Sequence, residues 1–332
     1  MKRYLLTLAI LCCFLVQNAF SQQQFNTQDP FAHTFSIVAR DSATGNIGVA
    51  VQSHWFSVGN TVSWAEAGVG AVATQSLVNK SFGPRALDLL EQGYSPQQAM
   101  DSLIAGDEGR AFRQVAIIDT KGRVATYTGD KCIAEAGHIK GNQYSVQANM
   151  MLNDQVWPAM SKAYENADGQ LAERMVAALQ AAQGAGGDIR GQQSAAILVV
   201  KGTSDNEPWK ERLVDLRVDD DPQAIDEITR LLKVHRAYEH MNEGDLAIEE
   251  GNVEKALKEY GQAREMFPEN VEMTYWTAVS MTNAGRMEQA LPLFKKVFNK
   301  NENWVTLTRR ITQNNILSVP DSTLQRILSV HN

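Results

Sequence analysis

The sequence predicts a mixed α+β fold, in which two central sheets are covered by helices on their outer faces, followed by an all-α region. Two observations support this prediction. Hairpin-forming strand patterns alternate with pairs of amphipathic helices over residues 34–235, and from residue 236 onward the sequence repeats with a fixed period. Because hairpins build antiparallel sheets and two helical pairs cover two outer faces, a four-layer αββα sandwich is the simplest packing.

The first 21 residues have the pattern of a secretory signal peptide. Lys2 and Arg3 precede an apolar run over residues 5–16, and Ala19-Phe20-Ser21 fits a small-x-small cleavage site. The apolar run is too short to span a bilayer, so we expect no membrane span. We therefore predict an exported protein, periplasmic or extracellular, in which residues 22–33 remain as a flexible leader.

Charge and cysteine content argue against several classes of protein. The chain of 332 residues has a formal charge of −7, and removal of the signal leaves 29 basic against 38 acidic residues, a charge of −9. Nucleic-acid binding is therefore not expected. Cys12 and Cys13 lie inside the signal. A lipoprotein would need a small residue just before the cysteine, and Leu11 and Cys12 do not serve well there. Removal of the signal leaves Cys132 as the remaining cysteine, so it has no intramolecular disulfide partner. No metal or nucleotide pattern is present, and we expect no cofactor.

Strands and helices of the first domain are separated by turn residues such as Gly45-Asn46 and Lys121-Gly122. Strands are predicted over residues 34–40, 47–52, 58–64, 69–74, 115–119, 124–128, 143–149, 193–200 and 212–218. Helices are predicted to begin at Gly83-Pro84 and Ser95-Pro96 and to cover residues 156–164 and 171–182.

The second domain, residues 236–332, repeats every 34 residues. A helix over residues 225–238 precedes the repeats, and one over residues 304–312 is expected to cap them. The period, with Ala263 and Pro268 at the helix-packing and terminating positions, indicates tetratricopeptide-like repeats. Such repeats stack into a concave surface that suits a protein or peptide partner. The matched pairs are Gly251 and Gly285, Ala256 and Ala290, Leu257 and Leu291, and Tyr260 and Phe294.

Six ordered segments between residues 34 and 234 carry a family resemblance. The chain resembles the bacterial family called domain of unknown function 1028, placed in the N-terminal-nucleophile (Ntn) hydrolase superfamily. The resemblance implies an Ntn-hydrolase-like αββα sandwich over residues 34–235 and a reaction that cleaves an amide bond. The segments are TFSIVARD, GVGAVATQS, FGPRALDLL, TGDKCIAEAGH, AGGDIRGQQSAAILVV and VDLRVDDDP.

Thr34 is the catalytic nucleophile that this resemblance implies. Ntn hydrolases attack with a Thr, Ser or Cys at the start of the first strand, and the free α-amino group, of pKa about 7.7–8.0, serves as general base. Thr34 follows His33 here, so an active enzyme needs a cut between them. The acid and lysine of proteasome-like members are not visible, since Gln52-Ser53 stands in the acid's place and residues 34–76 contain no lysine. The alternative is an ordinary β-branched strand residue.

Amide side chains near the ends of predicted strands are candidate substrate-binding groups. Gln75 ends one strand and Asn79 follows it, while Gln147 and Asn149 end another. Such side chains can donate to an oxyanion or hold a substrate carbonyl. Alternatively, they satisfy backbone groups at the strand ends.

The glycine-rich loop over residues 186–191 adds Asp188 and Arg190 to these candidates. Because arginine suits bidentate partners, the pair can face a substrate carboxylate or each other. The loop lacks the glycine spacing of a phosphate site. Cys132 and His138 share one loop without a metal pattern, and we expect the lone cysteine to be inert.

The sequence therefore favours an exported Ntn-type amidohydrolase that acts on a small amide or peptide-like substrate, with Thr34 as nucleophile. The alternative is a catalytically silent sandwich that binds a ligand while the repeats recruit a protein or peptide. Neither hypothesis involves a nucleic acid, and a homo-oligomer is compatible with both.

Overall fold

The computed structural model describes residues 31–331 and has the predicted mixed α+β fold with antiparallel sheets. The predicted signal peptide, and the leader as far as residue 30, lie outside the described residues. Over residues 31–331, no helix combines the length and apolar character needed to cross a membrane. The strands are β1 (Phe31–Ala32), β2 (Thr34–Arg40), β3 (Ile47–Ser53), β4 (Ser63–Glu66), β5 (Gly70–Leu77), β6 (Arg113–Asp119), β7 (Val124–Thr128), β8 (Gly137–Gly141), β9 (Tyr144–Ala148), β10 (Ser194–Val200) and β11 (Arg212–Val218).

The strands form two sheets in the part of the chain that the structure describes. The first sheet has the order β1-β5-β6-β7, with β4 also paired to β5, and the second has the order β11-β10-β3-β2-β9-β8. Each of these strand pairs is antiparallel, and β2–β3, β6–β7 and β8–β9 are hairpins. The β2–β3 hairpin closes through a turn in which Asp41 accepts hydrogen bonds from the backbone of Ala43 and Thr44.

Helices cover the sheets and then continue beyond them. Several start at predicted signals, for example α3, which Ser95 caps by accepting a hydrogen bond from the backbone of Gln98. The helices are α1 (Gly59–Val62), α2 (Phe82–Glu91), α3 (Pro96–Ala105), α4 (Val156–Asn166), α5 (Leu171–Gly184), α6 (Pro208–Glu211), α7 (Ala224–Glu249), α8 (Val253–Met266), α9 (Val271–Asn283), α10 (Met287–Lys300), α11 (Asn303–Gln313) and α12 (Asp321–Leu328).

Three apolar cores separate four layers in the first part of the chain. The two sheets pack face to face through residues such as Val49, Val51 and Ala73. On the outer face of the first sheet, α2 and α3 bury Phe82 and Leu103. On the outer face of the second sheet lie α4, α5 and the N-terminal part of α7. The order is therefore helices, sheet, sheet, helices.

Two of the differences from prediction, at α1 and at β8, have identifiable reasons. The predicted strand over residues 58–64 is wrong as far as residue 62, because Val58 and Val62 enter the core between the sheets from the turn of α1. Extended pairing begins only where Ser63 meets Ala73. Strand β8 was not predicted, since Ile139 is its one large apolar residue and it pairs only at a sheet edge.

The predicted domain boundary between residues 235 and 236 falls inside α7, a continuous helix of 26 residues. Beyond it, α8 and α10 begin and end at positions that match the predicted period, and Gly251 and Gly285 both have positive φ, +73° and +75°. A further helix, α12, follows the predicted cap. The C-terminal helical region is confirmed, and its identity as tetratricopeptide repeats remains a prediction.

Candidate functional site

The candidate site lies between the two sheets, at the end where Thr34 begins its strand. Side chains alternate between the faces of a strand, so positions 34 and 36 point into the same layer as Val38. The same alternation places Gln75 and Gln114 on the faces of β5 and β6 that point toward the other sheet. The apolar layer between the sheets therefore ends in a polar layer.

Thr34 is completely buried in this polar layer. Its Oγ1 donates a hydrogen bond of 2.7 Å to the carbonyl of Ala32. Residues 31–32 form β1, which pairs antiparallel with β5 at Ser76 and Leu77. Residues 31–33, the last part of the predicted flexible leader, therefore belong to the fold and cover the candidate nucleophile.

Two side chains donate to the carbonyl of His33, the residue that precedes Thr34. Ser53 Oγ lies 2.6 Å and Arg190 Nη2 lies 3.0 Å from this oxygen. Ser53 reaches it because Thr34 and Ser53 are direct partners in the β2–β3 ladder. The bond between His33 and Thr34 therefore has its carbonyl held by one neutral and one cationic donor.

Asp188 positions the arginine. Its carboxylate accepts from Arg190 Nε at 3.0 Å and from Nη2 at 2.7 Å, and it also accepts from the backbone nitrogens of Arg190 and His54. The Asp188 side chain has no exposed surface, whereas that of Arg190 is 29% exposed. Of the two predicted arrangements, the pair adopts the one in which its members face each other.

Five buried polar residues, which we call the amide cluster, bridge the sheets beside Thr34: Ser36, Gln75, Gln114, Gln147 and Asn149. Gln75 Nε2 and Asn149 Nδ2 both donate to Gln114 Oε1, at 2.7 and 2.9 Å, and both also contact the carbonyl of Thr34. Ser36 donates to Gln75 and accepts from Gln147, each at 2.6 Å. Three of the four predicted amide residues therefore converge.

The imidazole of His33 joins the same cluster. Its Nδ1 lies 2.8 Å from Asn149 Oδ1. Burial lowers the pKa of His33 below its ordinary value, although the hydrogen bond with Asn149 raises it, and the charge of Arg190 lowers it further. The ring is therefore held in its neutral form near pH 7.

The fourth predicted amide, Asn79, has other bonds. Its Oδ1 accepts from the backbone nitrogen and Oγ of Ser81, where α2 begins, and its carbonyl accepts from Thr74. A role for Asn79 in substrate binding remains a prediction. Gln114 was missed, because the apolar run that signals β6 begins at residue 115; its pairing opposite Gln75 places it in the cluster.

Cys132 is half-buried and lies beside Ser76 and Arg113. Burial raises the pKa of the Cys132 thiol, against hydrogen bonds with Ser76 and the Gly129 backbone, and its Sγ donates to the carbonyl of Arg113. Over the described residues, His, Cys, Asp and Glu side chains form no group of three or more that is arranged to hold a metal ion.

Two open clefts lie away from Thr34. One, of about 510 Å³, is lined in part by Tyr127, Thr128 and Lys131, and its Thr128 accepts a hydrogen bond from Gln114. The other, of about 430 Å³, lies on α7 and α8 and is lined in part by His240 and Glu259. The first cleft therefore touches the edge of the amide cluster.

The fold and the site together define a mixed α+β protein with a sealed polar site between two antiparallel sheets. The chain belongs to the family of unknown function DUF1028, whose pattern matches residues 34–228. A similar solved structure is protein SPO2555 from Silicibacter pomeroyi, of the same family. It is 32% identical, with a TM-score of 0.56, covering 61% of this chain and 85% of that one.

A second structural comparison is with Anbu (ancestral beta-subunit) from Yersinia bercovieri. It is 12% identical, with a TM-score of 0.30, and covers 59% of this chain and 92% of that chain. No protein with a curated description matches this chain.

Proposed function

We propose that this protein is an Ntn-type amidohydrolase, with an αββα sandwich of that superfamily, whose nucleophile is Thr34. The observation that carries the proposal is the pair of donors, Ser53 and Arg190, on the carbonyl that precedes Thr34. Stabilising negative charge on a carbonyl oxygen by preorganised donors is a large contribution to amide cleavage.

The first reaction is release of Thr34. Thr34 Oγ1 attacks the carbonyl carbon of His33, an ester to Oγ1 forms, the C–N bond breaks, and the hydroxyl proton passes to the amine. Water then cleaves the ester, which leaves a carboxylate on His33 and a free α-amino group on Thr34. Charge that develops on the His33 oxygen is met by Ser53 and by Arg190, which Asp188 holds in position.

The same groups then act on a separate substrate. The free amine takes the Oγ1 proton, Oγ1 attacks the substrate amide carbon, and the departing amine receives the proton. Water hydrolyses the resulting ester and regenerates Thr34. In this proposal the amide cluster fixes the strand at Thr34, and Gln75, Gln147, Asn149, Asp188 and Arg190 form the surroundings of the substrate.

N-terminal sequencing and intact mass of protein recovered after export test the proposal. We expect the wild-type chain to begin at Thr34, T34S to be cut, and T34A to begin near Gln22. T203A changes an exposed threonine and is the matched control, expected to behave as wild type. A wild-type chain that begins near Gln22, with T34A equal to it in every activity, would refute the proposal.

A catalytically silent, ligand-binding sandwich is the second candidate function. The observation that favours it is complete burial of Thr34, with its Oγ1 engaged by Ala32 and its surroundings hydrogen-bonded internally. In that case the cleft lined by Tyr127 and Lys131 is the available ligand site. This function is supported if the wild-type chain stays uncut and stable, and if wild type and T34A bind a ligand equally well.

The C-terminal helices add a proposed docking role. If they are tetratricopeptide repeats, their concave surface receives a protein or peptide segment.

Export to the periplasm or the medium completes the proposal. Cell fractionation of the full chain, compared with a chain that lacks residues 1–21, tests it: retention of the shortened form in the cytoplasm is expected.

A further inference from the structure

The edge of β5 is shared by two short strands. One edge of β5 pairs with β6. Along the other edge, β4 pairs with β5 from Gly70 as far as Ala73, and β1 pairs with β5 at Ser76 and Leu77. Because β1 ends at Ala32, two residues before Thr34, the cut that releases Thr34 frees this strand from the rest of the chain. Departure of residues 31–33 then leaves a short, unpaired sheet edge beside the nucleophile. Extended peptides bind to sheet edges of this kind by adding a strand.

The contacts of Ala32 and His33 describe what this space accepts. Ala32 is completely buried, against the core between the sheets, so a larger side chain there has no room. The His33 ring, also buried, is hydrogen-bonded to Asn149 at 2.8 Å. Its carbonyl is held by Ser53 and Arg190. Toward Thr34, the chain thus presents the small side chain of Ala32, then the hydrogen-bonded ring of His33, then the carbonyl of His33.

We propose that residues 31–33 occupy the subsite for the acyl half of the substrate, and that the substrate is an extended peptide or peptide-like amide. It carries a small residue, then a hydrogen-bonding side chain, before the bond that is cleaved. This inference rests on the proposed function, in which Thr34 Oγ1 attacks first the carbonyl carbon of His33 and then that of the substrate. The substrate carbonyl must therefore occupy the place that the His33 carbonyl holds before the cut. It identifies Ser53, Asn149 and Arg190 as substrate-recognition residues.

The sheet edge argues for a peptide over a small amide. A small amide uses only the carbonyl donors, whereas a peptide also pairs its backbone with Ser76 and Leu77, as β1 does. The held carbonyl fixes register, since a shift by one residue along a strand reverses which side chains face the core. A bulky residue at the position of Ala32 is therefore excluded by the buried site, and the sequence of residues 31–33 is a guide to the substrate.

Peptide binding to the mature chain, residues 34–332, tests the inference. The chain is released from a fusion by cutting directly before Thr34, and circular dichroism verifies its fold. The probes are Phe-Ala-His, Phe-Trp-His, and the 4-nitroanilide of Phe-Ala-His. We expect Phe-Ala-His to bind at least tenfold more tightly than Phe-Trp-His, and the anilide to be cleaved. Uncut T34A, which retains residues 31–33, is expected to bind neither peptide.

Substitutions at Arg190 add a second readout. R190Q is expected to weaken Phe-Ala-His binding at least tenfold, R190K to weaken it less, and the exposed control R85Q to leave it unchanged. Because the comparison of the two peptides uses the wild-type chain, a folding defect in R190Q does not remove the test.

The outcomes separate the inference from the proposed function. Cleavage of other amides without preference for Phe-Ala-His over Phe-Trp-His overturns the inference and leaves the function standing. Selective, Arg190-dependent binding without cleavage of any amide supports the subsite and overturns the function. Absence of both selective binding and cleavage overturns both.

Discussion

Gln114 is the centre of the amide cluster, and changing it to glutamate is a sharp perturbation. Its Nε2 donates to the carbonyls of Ala148 and Gly137, at 2.9 and 3.2 Å, and to Thr128 Oγ1 at 2.9 Å. In Q114E at pH 7 an ionised oxygen replaces this donor, so the buried carbonyl of Ala148 and the partly buried carbonyl of Gly137 both lose this hydrogen bond. An unsatisfied buried acceptor costs about 1–3 kcal/mol and a partly buried one costs less, which gives a loss of about 1–4 kcal/mol in the free energy of unfolding.

The pH dependence of this loss identifies its cause. Burial raises the pKa of a carboxyl group that has no cationic partner, so the new glutamate binds its proton more tightly in the folded state. A group with a raised folded pKa adds stability at low pH and loses that contribution as the pH rises. The protonated acid also restores one donor, so we expect the deficit of Q114E to shrink between pH 7 and pH 5.

Urea unfolding of Q114E and wild type at both pH values measures the effect. Q92E, at an exposed position of the same domain, is the matched control and should lose no more than about 1 kcal/mol, since a negative charge at the C-terminal end of α2 costs about 0.3–1 kcal/mol. Equal losses in Q114E and Q92E, or a deficit in Q114E that is the same at pH 5 and pH 7, would refute the reasoning.

Two further predictions concern ion pairs. R190Q leaves the unexposed Asp188 carboxylate without its cation and should lower the free energy of unfolding by about 3–5 kcal/mol, whereas adding D188N should recover part of that loss in urea unfolding. Burial raises the pKa of Glu239, but hydrogen bonds with His235 and Arg236 outweigh it and lower the pKa to about 2. A group with a depressed folded pKa stabilises the protein above that pKa, so wild type should lose stability as the pH falls from about 4.5 to about 2. Thermal unfolding across this pH range measures the loss. An equal loss of stability in E239Q would contradict the prediction.

The elements with regular patterns were predictable from the sequence. The alternation in β2, with Phe35 and Ile37 facing the helices and Val38 facing the other sheet, is a local property that the sequence displays. The turn of α1 was not predictable, since Val58, Thr61 and Val62 are β-branched residues that favour strands. They are helical here because the core between the sheets receives them from a turn.

The site was only partly predictable, because it depends on contacts between distant parts of the chain. Position at a strand end indicated Gln75, Gln147 and Asn149, and these residues do converge. Their roles toward a substrate remain predictions. Sequence position could not show that Arg190 reaches the carbonyl of His33, because that contact depends on how the loop over residues 186–191 folds against β2.

The continuous helix α7 has a consequence for how the molecule responds to force and to truncation. At about 1.5 Å per residue its 26 residues form a rod of about 39 Å. Its first part packs in the core of the sandwich through Ile225 and Ile228, and its later part packs through Met241 and Ala247 against the helices that follow. A chain cut after residue 235 would end inside this rod and leave its last turn to fray. A force on the C-terminal helices is instead transmitted along the hydrogen bonds of α7 to the helix layer of the sandwich, because the two parts are joined by this helix and not by a flexible linker.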